Sequence, residues 1–401
     1  MPLYSINTIT PVHISGGNII SPPGYIYHDN KVHYVVPDRL AELLGDDEFS
    51  RLMLHFYAPS RDSNMKISDT VRKYLPSVTS QTAECSFDPQ NKQIRRFIST
   101  AGQVFIPGSS LKGLFRTAIL YDYLKNSEDG IKYIRNLGFL LDNIGRQISR
   151  IRPELMSIEG QTRSAKDFRL KNQMKQKLDG LLRPFRNKIS AYLNDMEKLL
   201  FGPSTATDFM KYVFISDTLD SGGADKLYID QLSRIKYSDG SLKNIPLLPE
   251  FLKEHTGLTF RMEVRDPSAS VFKYEYFRDL TAERIQILTS GYCRDMLMRE
   301  TTTVPKSREF MKLRAGMNSL LHTPEDIILI RLGHGKSFFY NSVLGLLDDQ
   351  MLLTYRETER IGTHPGAGTL ARSLFPASAR YLTKNGIVTK PAGWCVVKNM
   401  A

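Results

Sequence analysis

Residues 105–117 carry the clearest chemical pattern in this sequence: an apolar strand, a Pro-Gly turn and the first turns of a helix. Pro107 and Gly108 should end the strand, and either of the two serines after them can cap the helix. The first amide groups of such a helix bind anions, and a phosphate fits there. Lys112 and Arg116 are four residues apart and therefore share one helical face. The residues that could contact the phosphate are Gly108, Ser109, Ser110, Lys112, Gly113 and Arg116.

The charge balance favours this interpretation over its alternative, an ordinary capped helix with two solvated cations. The sequence has 54 Lys plus Arg against 42 Asp plus Glu, a formal net charge of +12. An excess of this size indicates an acidic partner, a nucleic acid before a membrane surface. Residues 145–190 alone contain twelve basic residues and four acidic ones. Either a solvated helical face or a surface for nucleic acid or a partner protein explains that run.

A second candidate loop, residues 331–336, follows a buried strand. Its glycines allow another backbone to approach closely, and its basic side chains suit a sugar-phosphate chain. The candidates in this loop are Arg331, Gly333, His334, Gly335 and Lys336. A P-loop would need a glycine five residues before Gly335, where Ile330 stands. The sequence therefore argues against a P-loop nucleotide hydrolase.

Three histidines near glycine or proline, His13, His334 and His364, leave an enzymatic interpretation open. Two histidines can act as general base and general acid in RNA cleavage without a metal. A lone loop histidine is more often a packing or hydrogen-bonding residue. We expect no metal and no cofactor, because His28 and His33 lack acidic or sulfur partners at suitable spacing.

The elements around these candidates alternate between β and α patterns. Residues 3–14 are β-like, residues 25–27 and 32–36 predict a β-hairpin, and a helix should begin at Pro37. We predict a second hairpin at residues 83–98, projecting from the fold towards a partner.

Further along the chain, residues 120–200 show helical periodicity with little strand pattern, which indicates a basic helical insertion. β-structure returns at residues 212–215, and a second αβ unit follows. We therefore expect an N-terminal domain at 1–220, including a projecting hairpin at about 60–100, and a C-terminal domain at 221–401.

Composition places the chain among soluble proteins. Its 401 residues and 41% hydrophobic content suffice for a full core in two or three domains. The start lacks the pattern of a secretion signal, and no stretch resembles a membrane span, so we expect a cytoplasmic protein. Cys85, Cys293 and Cys395 are odd in number and far apart, which favours reduced packing residues over disulfides or a zinc site.

Several separated segments together resemble the RAMP superfamily of CRISPR proteins. The segments are residues 10–17, 106–113 with Arg116, 201–202, 331–335 and 391–394. Residues 376–380 match the family's usual Pro-Lys-Thr-Arg loosely. The nearest resemblance is to Csm-type subunits at the head of the backbone of type III-A effector complexes. It implies an α+β fold of two ferredoxin-like, RRM-related domains with a basic helical insertion.

The resemblance also implies roles for individual residues. The residues that would hold RNA phosphates are Gly108, Ser109, Ser110, Lys112 and Arg116. Residues 13–17, with Gly16 and Gly17, would flank the same groove, and residues 83–98 would be a hairpin that grips the guide RNA. Ser15 stands where the family usually has a glycine.

By the same resemblance, the protein would be a non-catalytic subunit that binds guide RNA, caps the backbone near the 3′ part of the guide and supports guide maturation and assembly. Its partners would be guide RNA, target RNA and other Csm subunits, chiefly the repeated backbone subunit. The alternative is a metal-independent guide-processing endoribonuclease of the same superfamily that uses His13 or His334. That group concentrates its glycine-rich loop near the C-terminus, whereas the strongest loop here lies at residue 108. A repeated backbone subunit would be smaller than this chain.

Overall fold

The computed structural model describes residues 1–57, 69–89, 92–164, 167–218, 224–237, 239–242, 247–336, 338–359 and 378–400. In these ranges the fold is α+β, as predicted. The helices are α1 (Pro37–Tyr57), α2 (Asp69–Val78), α3 (Gly108–Asn126), α4 (Glu128–Ser164), α5 (Phe168–Phe201), α6 (Tyr274–Phe277), α7 (Ala282–Thr303), α8 (Met311–Leu321) and α9 (Asp349–Glu359). The strands are β1 (Leu3–Thr8), β2 (Ser15–Ile20), β3 (Tyr25–His28), β4 (Lys31–Val35), β5 (Thr79–Cys85), β6 (Ile94–Phe97), β7 (Ser99–Thr100), β8 (Gln103–Val104), β9 (Val213–Ile215), β10 (Leu227–Ile229), β11 (Gln231–Lys236), β12 (Leu248–Leu252), β13 (Gly257–Val264), β14 (Ile328–Arg331), β15 (Ser378–Lys384), β16 (Ile387–Lys390) and β17 (Trp394–Asn399).

An antiparallel sheet of five strands, in the order β14-β17-β1-β13-β9, forms the centre of the main core. β1 alternates between buried and half-buried residues, and it buries Tyr4 and Ile6 completely. Helices α3 and α7 pack against each other and against strands of this sheet. Because β1 pairs with both β13 and β17, the sheet combines strands from both predicted domains, 1–220 and 221–401. The boundary at residue 220 stays a prediction.

A second sheet has seven strands in the order β2-β6-β12-β10-β5-β4-β3. The predicted hairpin is confirmed, since β3 pairs with β4 in antiparallel register. Its two turn residues, Asp29 and Asn30, have φ values of 55° and 57°. Asn and Asp tolerate this left-handed conformation, so the tight turn was readable from the local sequence.

The second predicted hairpin, at residues 83–98, is wrong. β5 pairs with β4 and β10, whereas β6 pairs with β2 and β12, so two strands separate them in the sheet. The reason is burial of the apolar residues of β5 and β6, which pack with Ile229 of β10 and Leu248 of β12. Residues 90–91 of the expected turn lie outside the described residues.

The helical insertion predicted at residues 120–200 is confirmed as the end of α3 with α4 and α5. α4 and α5 pack along each other, and α9 packs against both. Each long helix buries an apolar stripe of about one residue per turn. Among the described residues, the buried apolar members are Leu137, Leu141, Ile144, Ile148, Leu155 and Ile158 of α4, and Leu178, Leu182, Ile189, Leu200 and Phe201 of α5.

The third sheet, in the order β11-β15-β16, contributes to the interface described below. The three cysteines are buried and free, which confirms them as packing residues. Of the helices in the ranges given above, none has the length and apolar character needed to cross a membrane.

Candidate nucleic-acid interface

Helix α3 begins at Gly108, two or three residues earlier than a cap at either serine would place it, and its first turn is arranged differently. The N-cap is Pro107, so the predicted serine cap is wrong and both serines lie inside the first turn. The amide of Gly108 donates to Oδ1 of Asp217 at 2.8 Å. A carboxylate of the protein therefore already occupies part of the place predicted for a phosphate.

Gly108 is required by packing at this helix start. A Cβ on Gly108 would overlap the backbone of Ile215 and Ser216, which continue from β9. Two further hydrogen bonds join the same segments: the amide of Ile106 donates to Oγ1 of Thr218 at 2.8 Å, and the amide of Thr218 donates to the Ile106 carbonyl at 3.0 Å. Only a residue without a side chain allows this approach.

The two cations predicted for phosphate also have internal partners. Nζ of Lys112 donates to the carbonyl of Val213 at 2.9 Å, and burial lowers the pKa of this lysine. The Arg116 guanidinium lies 2.6 Å from Asp208 and 3.9 Å from the centre of the Phe201 ring. It also contacts Glu197 at 2.9 Å. Both side chains thus fix α3 to its neighbours, while Ser109 and Gly113 are exposed.

The first and last of the family-like segments meet the loop after β14, forming what we call the loop junction (residues 10–17, 331–336 and 391–394). The amide of His334 donates to the carbonyl of His13 at 2.7 Å. The amide of Gly393 donates to the carbonyl of Pro11 at 2.8 Å. Gly333 and Gly393 have φ values of 72° and 95°, and a Cβ on either would overlap a backbone carbonyl. These glycines are needed for close approach of backbone to backbone, not of backbone to ligand.

Arg331, predicted to contact RNA, is instead completely buried. Its guanidinium lies 2.5 Å from Oε2 of Glu300, which is also completely buried. It donates to the Ala392 carbonyl at 3.0 Å and the Gly335 carbonyl at 3.3 Å. The hydroxyl of Tyr340 donates to the same carboxylate at 2.9 Å. Arg331 therefore holds the loop junction from inside, and the prediction for this residue is wrong because a closed ion pair leaves no surface for RNA.

His13 also lies in the interior. Its side chain is completely buried, and Nδ1 is 2.6 Å from the carbonyl oxygen of Glu250, so Nδ1 carries the proton. Burial lowers the pKa of His13 to about 4. The half-buried ring of His334 lies 6.0 Å from it, centre to centre. Within the described part of the chain, Nε2 of each ring is buried and has no hydrogen-bond partner. His364 lies outside the described residues.

Three arginines beside these histidines form what we call the arginine cluster (Arg95, Arg234 and Arg380). Arg95 belongs to β6, and Arg234 and Arg380 are direct partners in the β11–β15 pair. Burial lowers the pKa of Arg380, and the charges of Arg234 and Arg95 lower it further. Burial also lowers the pKa of His334, and Arg380 and Arg95 add to this effect. Arg95 and Arg380 are thus close enough to His334 for their charges to act on it.

Sequence reasoning did not select this cluster. Arg234 and Arg95 are single basic residues in strands, with no motif around them, and Arg380 ended only a loose family match. Residues that face one another across a strand pair become neighbours only through the register of the sheet. The recurrence of arginine within predicted strands was the one feature of the sequence that could have indicated this cluster.

Next to the arginine cluster, β2 offers an open backbone. Every residue from Ser15 to Ile19 is exposed, including Gly16 and Gly17. β2 is an edge strand of the seven-stranded sheet, and its Ile19 stands opposite Arg95 of β6. The structure thus leaves Gly16 and Gly17 exposed in the strand beside Arg95, and it holds His334 half-buried next to His13. Gly335 and Lys336 of the same loop are buried and half-buried, respectively.

The basic residues of α4 and α5 have mixed surroundings. Arg152 contacts Glu357 at 2.9 Å and so connects α4 with α9. Arg186 contacts Asp179 at 2.7 Å and so connects two turns of α5. Other members of the run are exposed, namely Arg150, Arg169, Lys175, Arg183 and Lys188. No group of three His, Cys, Asp or Glu side chains that could hold a metal ion occurs among the residues that the structure describes.

Comparisons with known proteins agree on one family. The model of the RAMP superfamily matches residues 5–292. A relative from Methanocaldococcus jannaschii, described as CRISPR system Cms protein Csm5, is 22% identical over 422 residues, covering 96% of this chain and 86% of the relative.

Two solved structures share the fold. A chain of a Csm-crRNA-target RNA ternary complex from a type III-A CRISPR-Cas system matches with a TM-score of 0.65 and 18% identity, over 99% of this chain and 100% of that one. T. onnurineus Csm5 matches with a TM-score of 0.57 and 18% identity, over 98% and 99%.

Proposed function

Because this chain belongs to the RAMP superfamily, we propose that it binds guide RNA as a subunit of a type III-A CRISPR effector complex. One protein of the same fold comes from a complex of Csm subunits with crRNA and target RNA, and another is a Csm5. On this proposal, the partners of the chain are guide RNA, target RNA and other Csm subunits. It caps the repeated backbone near the 3′ part of the guide and supports guide maturation and assembly.

The observation that carries the proposal is the arginine cluster beside the exposed strand β2. Arg234 and Arg380 stand opposite each other in the β11–β15 pair, and Arg95 of β6 stands opposite Ile19 of β2, where Gly16 and Gly17 leave the backbone accessible. Phosphate contacts from arginine and from backbone amides position a nucleic acid without reading its sequence. A subunit that serves many different guides needs recognition of this kind.

The buried position of His13 supports a binding role over the endoribonuclease alternative. A general base must come within hydrogen-bond distance of the proton that it removes. The His13 side chain has no exposed surface, and its Nδ1 is already bound to the Glu250 carbonyl. RNA on the surface of this fold cannot reach it without rearrangement of the loop junction.

RNA binding is tested with the purified full-length chain and labelled single-stranded guide RNA, measured by fluorescence anisotropy. We expect the variant Arg95→Gln/Arg234→Gln/Arg380→Gln to bind at least about tenfold more weakly, since charge-assisted hydrogen bonds each contribute about 1.5–3 kcal/mol. The matched control is Arg51→Gln/Arg146→Gln/Arg278→Gln, which removes the same charge from arginines paired with carboxylates in or beside their own helices. No RNA binding by the unmodified protein contradicts the proposal, and equal affinity of both variants contradicts the assignment of the RNA interface to the arginine cluster.

The non-catalytic role needs its own measurement. The protein is incubated with precursor guide RNA, with and without divalent metal, and the products are separated by electrophoresis. We expect intact RNA in both cases. Specific cleavage that disappears in His13→Ala or His334→Ala would establish the endoribonuclease alternative.

A further inference from the structure

We propose that Arg95, Arg234 and Arg380 together hold one internucleotide phosphate of an RNA strand, beside the half-buried imidazole ring of His334. This inference rests on the proposed function and names the chemical group that the surface takes. It also states that the three arginines bind one phosphate together. The salt dependence of RNA binding can distinguish this from three arginines that each bind a separate phosphate.

The first step is the convergence of the three side chains. Arg234 and Arg380 are opposite each other in adjacent antiparallel strands, so their Cβ atoms are about 5 Å apart. Arg380 also donates from Nη1 to the carbonyl of Leu232, at 3.4 Å, which directs it across the strand pair. Arg95 approaches from β6 of the other sheet: it stands opposite Pro249 of β12, and Leu247, just before that strand, pairs with Leu232. In keeping with this position, the charge of Arg95 lowers the pKa of Arg380.

The second step is that these charges lack a counter-charge. Among the described residues, none of the three arginines forms an ion pair with a carboxylate, whereas Arg96 beside them pairs with Glu250 at 2.8 Å. The sequence immediately before β15, residues 360–377, contains no aspartate or glutamate. Like charges opposite each other in a sheet are destabilising. The repulsion between these arginines therefore lowers the stability of the fold unless a bound anion neutralises it.

The third step concerns His334. Its Nε2 is buried and has no hydrogen-bond partner within the described residues. Buried polar atoms are nearly always partnered, and exceptions mark places that a ligand or water completes. His13 does not contact the phosphate, because its Nδ1 carries the proton and its Nε2 can only accept a hydrogen bond, which a phosphate diester cannot donate. The charge that attracts the anion is therefore that of the arginines. One phosphate is small enough for three converging guanidinium groups to share.

Salt dependence separates one shared phosphate from three separate ones. For a single strand, the slope of log affinity against log salt changes by about 0.7 for each phosphate contact. We expect the triple variant Arg95→Gln/Arg234→Gln/Arg380→Gln to lose about 0.7 of the slope, because the three arginines share one contact. A loss of about 2 would mean three separate phosphates, and no loss would mean no phosphate at the cluster; either result overturns the inference while RNA binding stands.

A second measurement remains informative if the chain does not bind RNA alone. Inorganic phosphate is titrated into the protein at low ionic strength, and the melting temperature is followed. We expect phosphate to raise the melting temperature of the unmodified protein and of the Arg51/Arg146/Arg278 control, but not of the cluster variant. Without phosphate, the cluster variant should melt at the same or a higher temperature, since repulsion is removed. Equal stabilisation of all three proteins overturns the phosphate site itself.

Discussion

His13 illustrates a residue type that suits catalysis but is used here in the interior. Its ring packs edge-on against Phe97, Phe251 and His334, and its only hydrogen bond in the described structure goes to a backbone carbonyl. The sequence showed a histidine beside a glycine-rich stretch, which fits both uses. Burial decides between them, and burial depends on strands that are far away in the sequence.

This burial predicts a pH dependence of stability. The pKa of His13 is lowered to about 4 in the folded protein, below its ordinary value near 6.5, so the unfolded chain binds the proton first as the pH falls. The contribution of His13 is therefore fully present above pH ~6.5 and is lost as the pH falls towards about 4. The loss should be about 3 kcal/mol of unfolding free energy.

The measurement is urea denaturation at pH 7 and at pH 4.5, for the unmodified protein and for His13→Asn. Carboxylates titrate in both proteins, so the difference between their pH profiles isolates the histidine. Asparagine can keep a hydrogen bond to the Glu250 carbonyl but has no proton to gain. Parallel profiles for the two proteins would show that His13 protonates as easily when folded as when unfolded.

Arg116 should stabilise the fold without binding RNA. Arg116→Ala removes the ion pairs to Asp208 and Glu197 and the contact with the Phe201 ring. We expect a loss of about 1–2 kcal/mol of unfolding free energy, because the group is partly exposed and its ion pairs are partly screened. The control Lys188→Ala, on the exposed face of α5, should change stability by less than about 0.5 kcal/mol. If folded Arg116→Ala binds RNA more weakly than the unmodified protein, Arg116 contacts an RNA phosphate, as the sequence predicted.

At the scale of elements, the loop junction depends on two glycines. Gly333→Ala and Gly393→Ala each place a Cβ on a backbone carbonyl, at φ values that favour glycine. Each should cost more than about 3 kcal/mol, since neither carbonyl can move without breaking the junction. Gly180→Ala, in the interior of α5 with open space around it, should instead stabilise by about 0.5–1 kcal/mol. Midpoints of urea denaturation distinguish these results. An unchanged midpoint for Gly333→Ala would show that the loop junction can rearrange to accommodate the added Cβ.

The elements that sequence analysis predicted are those whose evidence is local. The β3–β4 hairpin has a two-residue turn, and the long helices α4 and α5 each have a regular apolar stripe. β5 and β6 have an equally good turn between them, but their partners come from residues 227–229 and 248–252. Strand pairing across such distances has no local pattern, so the sequence predicted each strand and not its neighbour.

The same distinction applies to the candidate site. Gly16, Gly17 and His334 were selected because they belong to loops with their own glycine patterns, and the structure leaves the two glycines exposed and His334 half-buried. Arg331 was predicted from its neighbours in the sequence, yet its charge is paired with Glu300, a residue of helix α7 that lies about thirty residues earlier in the chain. The arginine cluster depends on strand register, which no single segment contains.

At the scale of the whole molecule, the structure makes the predicted N-terminal domain dependent on the rest of the chain. A fragment of residues 1–220 lacks β13 and β17, which flank β1, and also β10 and β12, which lie between β5 and β6. It would expose the buried residues of β1 and divide the seven-stranded sheet. We expect the fragment to be insoluble or to lack a cooperative unfolding transition in circular dichroism, unlike the full chain. A cooperative transition would establish residues 1–220 as an independent domain.

The position of β1 also has a consequence for translation. This strand leaves the ribosome before the other strands of its sheet, but its hydrogen-bond partners on one side, such as Lys398 opposite Ser5, are synthesised after every other strand of the sheet. During most of synthesis the apolar face of β1 has no sheet to join, while the local contacts of α3, α4 and α5 can already form. Nascent chains should therefore acquire helical protection early and sheet protection late. A stalled chain that lacks β17 would be a substrate for chaperones before it could meet RNA.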